Sequence, residues 1–572
     1  MESDRELDSA GAPSQWCAVA LCTILLVAGA PPTIAQSSSP RNAQEIPRLF
    51  EAEQWREIAE LDPPLDRSAE TDLQYGIALA HLQRWDDAER ALEAGLRLDP
   101  RDPKLMVELA GVAFKQAQYS RAEQWMQRAV NNGSEDQYNF EFLATCYYLQ
   151  GNLEAALKYW NRIDKPLIAG IDEEPRPKLD PVLLDRAFTF SPAGVLEFPA
   201  LRTTQARINA LGTFSNYRFD IEARPDGRFG LVFHNTERRG CAGNSWQCLL
   251  VVLGQTPAQT VNFSYFDIGN RAINVTAGFR WDGEKRREQA SIAFPIANNP
   301  KWLLRVGTDF RNENWALRNS FAGPAPLLGA FNLKRESVVA QFTDVMSGRW
   351  QWATSTEVSR RQYHNVFAGV APPESLDPGF ELAQSFGVSG NVLSLPERRL
   401  KLDGGGSVTV AKLWSPPQRN FAQIQSFARL SWFPQSEGRR YELQGVFRTG
   451  ASVGSVPFDQ LFVLGVLGDT DLYMRAHIAT RDGKKGSAPI GSNYFLSNWE
   501  FTRNVSPVPI AQIKIGPFVN TGKILGSSGV GSTKWLWDAG LEARLQAFGV
   551  SVTLSYARDL RAGKNAWVAT AP

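Results

Sequence analysis

The sequence predicts a multidomain chain. An all-α repeat solenoid comes first, then a small α+β module, then a 16-stranded antiparallel transmembrane β-barrel. Three observations predict this order. Small residues recur at a fixed spacing through residues 76–156. A short amphipathic segment is followed by an Asp226-Gly227 hairpin signal. From about Val261 the apolar period switches to two and stays there.

Composition bounds the function. The 572 residues suggest several domains. A net charge of +1 gives no argument for nucleic acid. Hydrophobic content is ordinary at 43%, mean hydropathy is −0.28, and no run approaches the ~20 apolar residues of a spanning helix. Yet there are 17 Trp, 13 Tyr and 32 Phe. Alternating strands rich in aromatics span membranes without a hydropathy peak.

Trp16–Ala30 is too short to cross a bilayer, and Thr33-Ile34-Ala35 has the form of a cleavage site. We expect residues 1–35 to be a signal peptide. Its first residues are acidic (Glu2, Asp4, Glu6, Asp8), so either the true start is downstream or the segment is an uncleaved anchor. Cys17 and Cys22 leave with it, Cys146 reads as a small core residue, and Cys241 and Cys248 form a disulfide candidate in an oxidising compartment.

After a polar linker at 37–44, residues 45–166 are helical. Gly76, Ala110 and Ala144 stand 34 apart, and so do Ala88, Ala122 and Ala156. Small residues at those offsets let two helices of a hairpin approach closely. The pattern resembles tetratricopeptide repeats. The resemblance implies a scaffold that binds segments of other proteins.

Residues 167–183 are Pro-rich and charged and read as a linker. The α+β module spans 184–240, with one strand expected within Leu184–Phe190. Its helix places Leu201, Ile208 and Leu211 on one face and ends at Gly212. Helix, Phe214 and hairpin resemble a POTRA module of the BamA/TamA outer-membrane superfamily, here single and trimmed.

The barrel is assigned to 255–572. TVNFSYFDI, AINVTAGFRW, WLLRVGTDF, FDQLFVLG and VSVTLSYA are among its candidate strands, and Gly404-Gly405-Gly406 reads as a bend between strands. A ~20-residue spacing gives about sixteen strands. Lipid cannot satisfy backbone N–H and C=O groups, so such strands must close into a ring.

No catalytic signature is present, and no cofactor or metal is expected. The four histidines, His81, His234, His364 and His477, are too scattered in sequence to read as a metal site. Asp469 and Asp471 read as exposed loop carboxylates.

The stretch Tyr473–Phe501 carries Arg475 among uncharged neighbours, then a charged tip with Arg481, Lys484 and Lys485. Gly491, Tyr494 and Glu500 follow, then Phe518, Asn520 and Gly522, then Asp538, Gly540 and Arg558-Asp559-Leu560. From about residue 185 to the end, this resembles the barrel of the same superfamily, whose long loop carries an arginine into the lumen. Here Ala476 and His477 replace the family's glycine and aromatic, and Asn520 its aspartate. A guanidinium inside a barrel needs an acceptor. Glu500 is the expected partner and Asn520 a neutral second.

The resemblance implies an outer-membrane protein that is not an enzyme. It would insert or translocate polypeptides, its repeats in the periplasm recruiting clients or partner proteins. The rival readings are a polysaccharide export porin, a lipoprotein surface-display factor and a purely structural receptor. The first predicts an open, acidic or aromatic-lined lumen and no POTRA hairpin, the second about fourteen strands and no lumen arginine loop.

Overall fold

The computed structural model describes residues 41–61, 68–241, 255, 259–368, 376–435, 440–467, 470–505, 511–527, 529–547 and 550–570. The signal segment 1–35, Cys17, Cys22, Cys248 and Asp469 lie outside the described residues.

The chain divides into two compact units, 1–98 and 99–572. The first holds α1 (Arg41–Glu51), α2 (Trp55–Glu60), α3 (Ala69–His81) and α4 (Trp85–Leu98). Helix α1 starts inside the segment expected as a polar linker. Ser68 and Thr71 form a reciprocal capping box that starts α3. Gly76 is the contact with α4: a Cβ there would lie 2.6 Å from Leu92. Ala88 is fully buried, and His81 stacks on Trp55.

The second unit opens with α5 (Pro103–Lys115), α6 (Tyr119–Asn131), α7 (Gln137–Leu149) and α8 (Leu153–Trp160). Asp102, Asp136 and Asn152 cap their helices by accepting backbone N–H groups. Ala110, Ala122, Ala144 and Ala156 have no solvent exposure, as close helix pairing requires. Cys146 is buried beside Ala113 and Ala122.

The module is a three-stranded sheet with two helices: β1 (Ile168–Glu174), α9 (Pro181–Ala187), α10 (Phe198–Leu211), β2 (Phe214–Ala223) and β3 (Phe229–Glu237). The order is β1-β3-β2, with β1 parallel and β2 antiparallel to β3. Phe188, Phe214, Phe219 and Phe233 pack as an aromatic core. Leu201, Ile208 and Leu211 are buried, and Gly212 ends α10 at φ +67°. Two expectations are corrected here. The supposed linker 167–183 contains β1, and Leu184–Phe190 begins as helix rather than strand. Strand β1 pairs only with β3, distant in sequence, so local pattern could not find it. Asp180 and Pro181 start α9 as N-cap and first-turn proline.

Fourteen antiparallel pairings then join fifteen strands among the described residues. The first ten are β4 (Thr260–Ile268), β5 (Ile273–Trp281), β6 (Lys285–Pro295), β7 (Trp302–Leu317), β8 (Gly329–Asp344), β9 (Trp350–Ala368), β10 (Gly379–Leu395), β11 (Leu400–Trp414), β12 (Arg419–Trp432) and β13 (Tyr441–Gly454). Three short strands follow inside a loop: β14 (Phe462–Val463), β15 (Thr480–Arg481) and β16 (Lys484–Lys485). The wall resumes with β17 (Ile490–Asn504), β18 (Ala511–Ser527), β19 (Leu536–Ala547), β20 (Val550–Asp559) and β21 (Asn565–Thr570). The sheet curls as a barrel whose strand order returns from β21 to β4. Paired registers run without a break from β4 to β21, while the β21–β4 edge carries none among the described residues.

Gly404–Gly406 is not a bend but the middle of β11, paired with both neighbours. A Cβ on Gly405 would lie 2.7 Å from the Phe427 ring, so the glycine makes room for its cross-strand aromatic. FDQLFVLG is not a wall strand either. It forms one 3₁₀ turn and β14 within the loop.

One end of the barrel is fastened to the module and the last repeat hairpin. Asp180 N–H donates to the Asn270 carbonyl (2.7 Å). Asn274 donates to the Leu211 carbonyl (2.7 Å), and Arg186 to the carbonyls of Ala297 and Asn298. Gly348 N–H donates to Thr203 (2.9 Å). At the β10–β11 turn, Asn152 donates to the Pro396 carbonyl, Arg399 to that of Gln150, and Lys158 pairs with Glu397. The four turns β4–β5, β6–β7, β8–β9 and β10–β11 are thus held in succession.

Burial, with the Glu123 charge second, pushes the Cys146 thiol up to about 12. The thiolate is the reactive form. We expect Cys146 to resist maleimide at pH 8 in the folded protein and to react fully after denaturation, measured by mass spectrometry.

Candidate functional site

Between β13 and β17 the chain turns inward and plugs the barrel. The plug touches opposite walls. On one side Phe458, Val463, Leu467, Ala479 and Ala488 pack with Trp315, Leu317, Phe331 and Leu333. On the other, Phe462, Leu464, Leu472 and Met474 pack with Tyr494, Leu496, Ile524 and Leu536. Gly522 belongs to this second contact: a Cβ there would lie 3.1 Å from Leu464 and 3.2 Å from Met474. Gly491 faces Ile524 at 2.4 Å in the same sense.

Arg475 is the centre of the latch. Its guanidinium pairs with Glu500, donates to Asn520 Oδ1 (2.9 Å) and lies 3.3 Å from Glu542. Its Cζ stands 4.4 Å from the centroid of the Phe518 ring. Arg544 lies 3.3 Å from Glu500 and 3.4 Å from Glu542. Two guanidiniums therefore face two carboxylates, and the group is neutral as a whole. Neutral pairing with several hydrogen bonds is what a charge removed from water requires.

The wall positions follow from register. Asn498, Asn520, Asp538 and Asp559 are cross-strand partners on β17, β18, β19 and β20. Period-two alternation points this row inward. Asn498 donates to the Tyr473 carbonyl (2.8 Å) and to Asn520 (2.8 Å). Asp538 Oδ2 accepts from Ala476 N–H (2.8 Å). His477 Nδ1 lies 3.1 Å from Asp538 Oδ1, and its Nε2 3.7 Å from Asp559 Oδ2. Tyr473, Arg475, Ala476 and His477 thus meet one strip of wall.

Gly540 opposes Phe518 in the ladder. A Cβ there would lie 2.8 Å from the Phe518 ring and 1.9 Å from the Tyr556 carbonyl. The missing side chain lets Phe518 lie across β19, where it carries Arg475. Tyr494 packs edge-on to Phe462, ring centroids 4.7 Å apart.

Two further anchors hold the plug. Arg361, fully buried, pairs with Glu381 (2.5 Å) and Asp459 (2.9 Å), and Tyr363 donates to Asp459 (2.8 Å). Lys485, expected in a solvated loop tip, is instead buried and pairs with Glu313 on β7 (2.6 Å). The hairpin of β15 and β16 reaches across the lumen, which the sequence around Lys485 does not signal. Asp471 pairs with Arg448 (2.7 Å) and remains largely exposed. The remaining lumen includes a cavity of about 420 Å³ whose lining includes Gln341, Thr343, Gln351, Ser389, Ser407, Gln425 and Arg448. Trp352, Phe427 and Tyr494 also line it, so amides and hydroxyls alternate with aromatic surface.

Glu542, Arg544, His477 and Asp559 were not singled out as site residues by sequence reasoning. For two of them a signal exists: Asp538, Gly540, Glu542 and Arg544 stand at i, i+2, i+4 and i+6, one face of a strand. The histidines stay apart in the fold, His81 on Trp55 and His234 beside Asp220, but folding sets His477 between two aspartates. Cys241 takes part in a disulfide.

Breaking a buried pair from one side costs about 3–5 kcal/mol. Glu500→Ala should leave Arg475 short of charge and free the plug, seen as new cysteine accessibility at a Met474→Cys reporter. Gly540→Val should act alike through Phe518, whereas Asn520→Asp should preserve the latch.

Residues 73–139 match the tetratricopeptide repeat family. No curated protein matches the chain. Among solved structures, the chain is similar to BamA from Haemophilus ducreyi lacking POTRA domains 1–3 (11% identity, 71% of this chain and 84% of that one, TM-score 0.41). It is also similar to CdiB from Escherichia coli (12%, 72% and 74%, TM-score 0.47) and CdiB from Acinetobacter baumannii (11%, 81% and 85%, TM-score 0.42).

Proposed function

We propose that this chain is an outer-membrane protein that inserts or translocates polypeptides through a plugged β-barrel. The observation that carries this reading is the plug itself, held by an exchangeable ionic latch on β17–β20. Those strands lie next to the closing edge. The opposite arc of turns is fastened to the module and the repeats. A conduit that opens needs one arc fixed and another free to rearrange.

The exterior supports a membrane setting. Val410, Ile424 and Leu541 face outward and exposed in the middle of their strands, and Trp281, Trp302, Trp350, Trp414, Trp432 and Trp537 lie at or near strand ends. An apolar band between aromatic girdles is the surface lipid selects. Strand parity supports the count of sixteen. Fifteen alternating strands leave β4 and β21 running the same way, and antiparallel closure takes an even number.

The module is a POTRA-like domain on this reading, placed in the periplasm with the repeats. The repeats recruit clients or partner proteins. The protein is not an enzyme and uses no cofactor. The export-porin reading asks for an open lumen and is disfavoured by the latched plug.

Planar-bilayer recording tests the proposal. The wild type should show low, flickering conductance and Glu500→Ala a larger, steadier one, with added unfolded polypeptide blocking the variant. Wide, steady pores unchanged by the substitution would overturn the plug's gating role. Leu541→Arg on the lipid face should cost about 2–4 kcal/mol in urea unfolding from phospholipid vesicles. Photocrosslinking from Tyr138, exposed on α7, should trap polypeptide in cells.

A further inference from the structure

We propose that the inward arginines of β6, β7 and β8 bind the carboxylates of an acidic polypeptide segment, and that the plug's Asp459 fills one end of this site while the barrel is latched. The polypeptide occupant is taken from the transport reading, on which this assignment rests, and the site itself stands on register and charge.

Five arginines stand in one cross-strand row. Arg280 is opposite Arg287, Arg287 opposite Arg311, Arg311 opposite Arg335 and Arg335 opposite Arg361, one residue from each of β5 to β9. Phe279, Ile292, Phe310, Val338 and Val358 face outward on the same strands, so alternation turns the row into the lumen. Like charges directly opposite one another destabilise a sheet, and a run of such pairs calls for anions.

Wall acids answer part of that call. Asp309 accepts from Arg287 (2.8 and 2.9 Å) and from Arg311 (2.9 Å). Glu357 pairs with Arg335 (2.7 Å) and Glu381 with Arg361 (2.5 Å). One further carboxylate is not part of the wall. Asp459 stands in the plug's 3₁₀ turn, pairs with Arg361 (2.9 Å) and faces Arg335 Nε at 3.9 Å. That is too long for a hydrogen bond. Asp459 Oδ2 and Arg335 Nε are both buried and have no hydrogen-bond partner. Buried polar atoms are nearly always satisfied, so the plug covers Arg335 without saturating it.

The row is reachable. Arg287, Arg311 and Arg335 keep 18%, 25% and 15% of their side chains exposed. A cavity of about 340 Å³ has Asp309 in its lining, with Gln289, Ser291, Arg305 and Gln341. Arg305 shares the inward face of β7 with Asp309 and Arg311 and stands nearer the module end of that strand, on the way in. The occupant follows from what the row already holds. It takes a carboxylate from a peptide segment, the plug's own, and the planar guanidinium fork matches that group. Adjacent strands lie ~4.8 Å apart, so Arg287 to Arg335 spans about 10 Å, while acids two residues apart on an extended chain lie ~7 Å apart. Long arginine side chains bridge the difference.

The test records the full-length Glu500→Ala pore in planar bilayers with four probes: short polyglutamate, polylysine and Gly-Ser peptides, and inorganic phosphate. Polyglutamate blocks should last at least tenfold longer than Gly-Ser or polylysine blocks and shorten as salt rises. Adding Arg311→Gln or Arg335→Gln should remove that advantage while the barrel keeps its heat-modifiable migration. Reversal potentials of the Glu500→Ala pore in a KCl gradient should favour chloride, a readout that needs no substitution in the row. Equal block times for all three peptides, or a cation-selective pore, would overturn the arginine site and leave the transport reading standing. Block by no peptide at all would overturn both. Phosphate that displaces polyglutamate at equal charge would make the row a small-anion site and overturn the peptide occupant.

Discussion

A guanidinium inside a barrel must be met by acceptors, and Arg475 imposes that demand on the whole C-terminal half. Glu500, Asn520 and Glu542 meet it from three adjacent strands. They point to one spot only because β17, β18 and β19 hold a fixed register. A slip of one residue would turn each acceptor to the lipid face. The latch and the wall therefore specify one another. Beside the ions Phe518 packs with Ala476 and Ala557, and farther along the same strands the plug's apolar residues meet Leu496, Ile524 and Leu536.

The rest of the barrel divides the labour. Strands β4–β11 have their turns tied to the module and to α8, through backbone carbonyls as much as through side chains. Carbonyl acceptors do not depend on the turn's side-chain identities, so this junction is set by shape. The plug is held by ions on both sides, by Arg475 with Glu500 and Glu542 near the closing edge and by Lys485 with Glu313 and Arg361 with Asp459 on the other.

How much of this was legible in the sequence depends on the range of the interaction. Arg475 and Glu500 stand out because each is an isolated charge in an otherwise uncharged stretch. Helix pairing at Ala110, Ala122, Ala144 and Ala156 is legible because repeats restate a local contact. Glu542 and Arg544 were overlooked although strand alternation places them beside Asp538. Strand β1 hid in a Pro-rich charged segment, because its parallel pairing with β3 leaves no local mark. Lys485 read as a solvated tip because nothing nearby in sequence announces Glu313.

The sequence by itself determined the periods: 34 for the helical hairpins, two for the wall, and the capping and turn residues that punctuate them. Those are set by sterics and hydrogen bonding within a few residues. Tertiary structure alone decided that Glu542 and Arg544 join the Arg475–Glu500 pair, that Lys485 meets Glu313, that FDQLFVLG belongs to the plug, and that His477 arrives between Asp538 and Asp559. Such pairings arise from register around a curled sheet, and register sums over every strand between the partners.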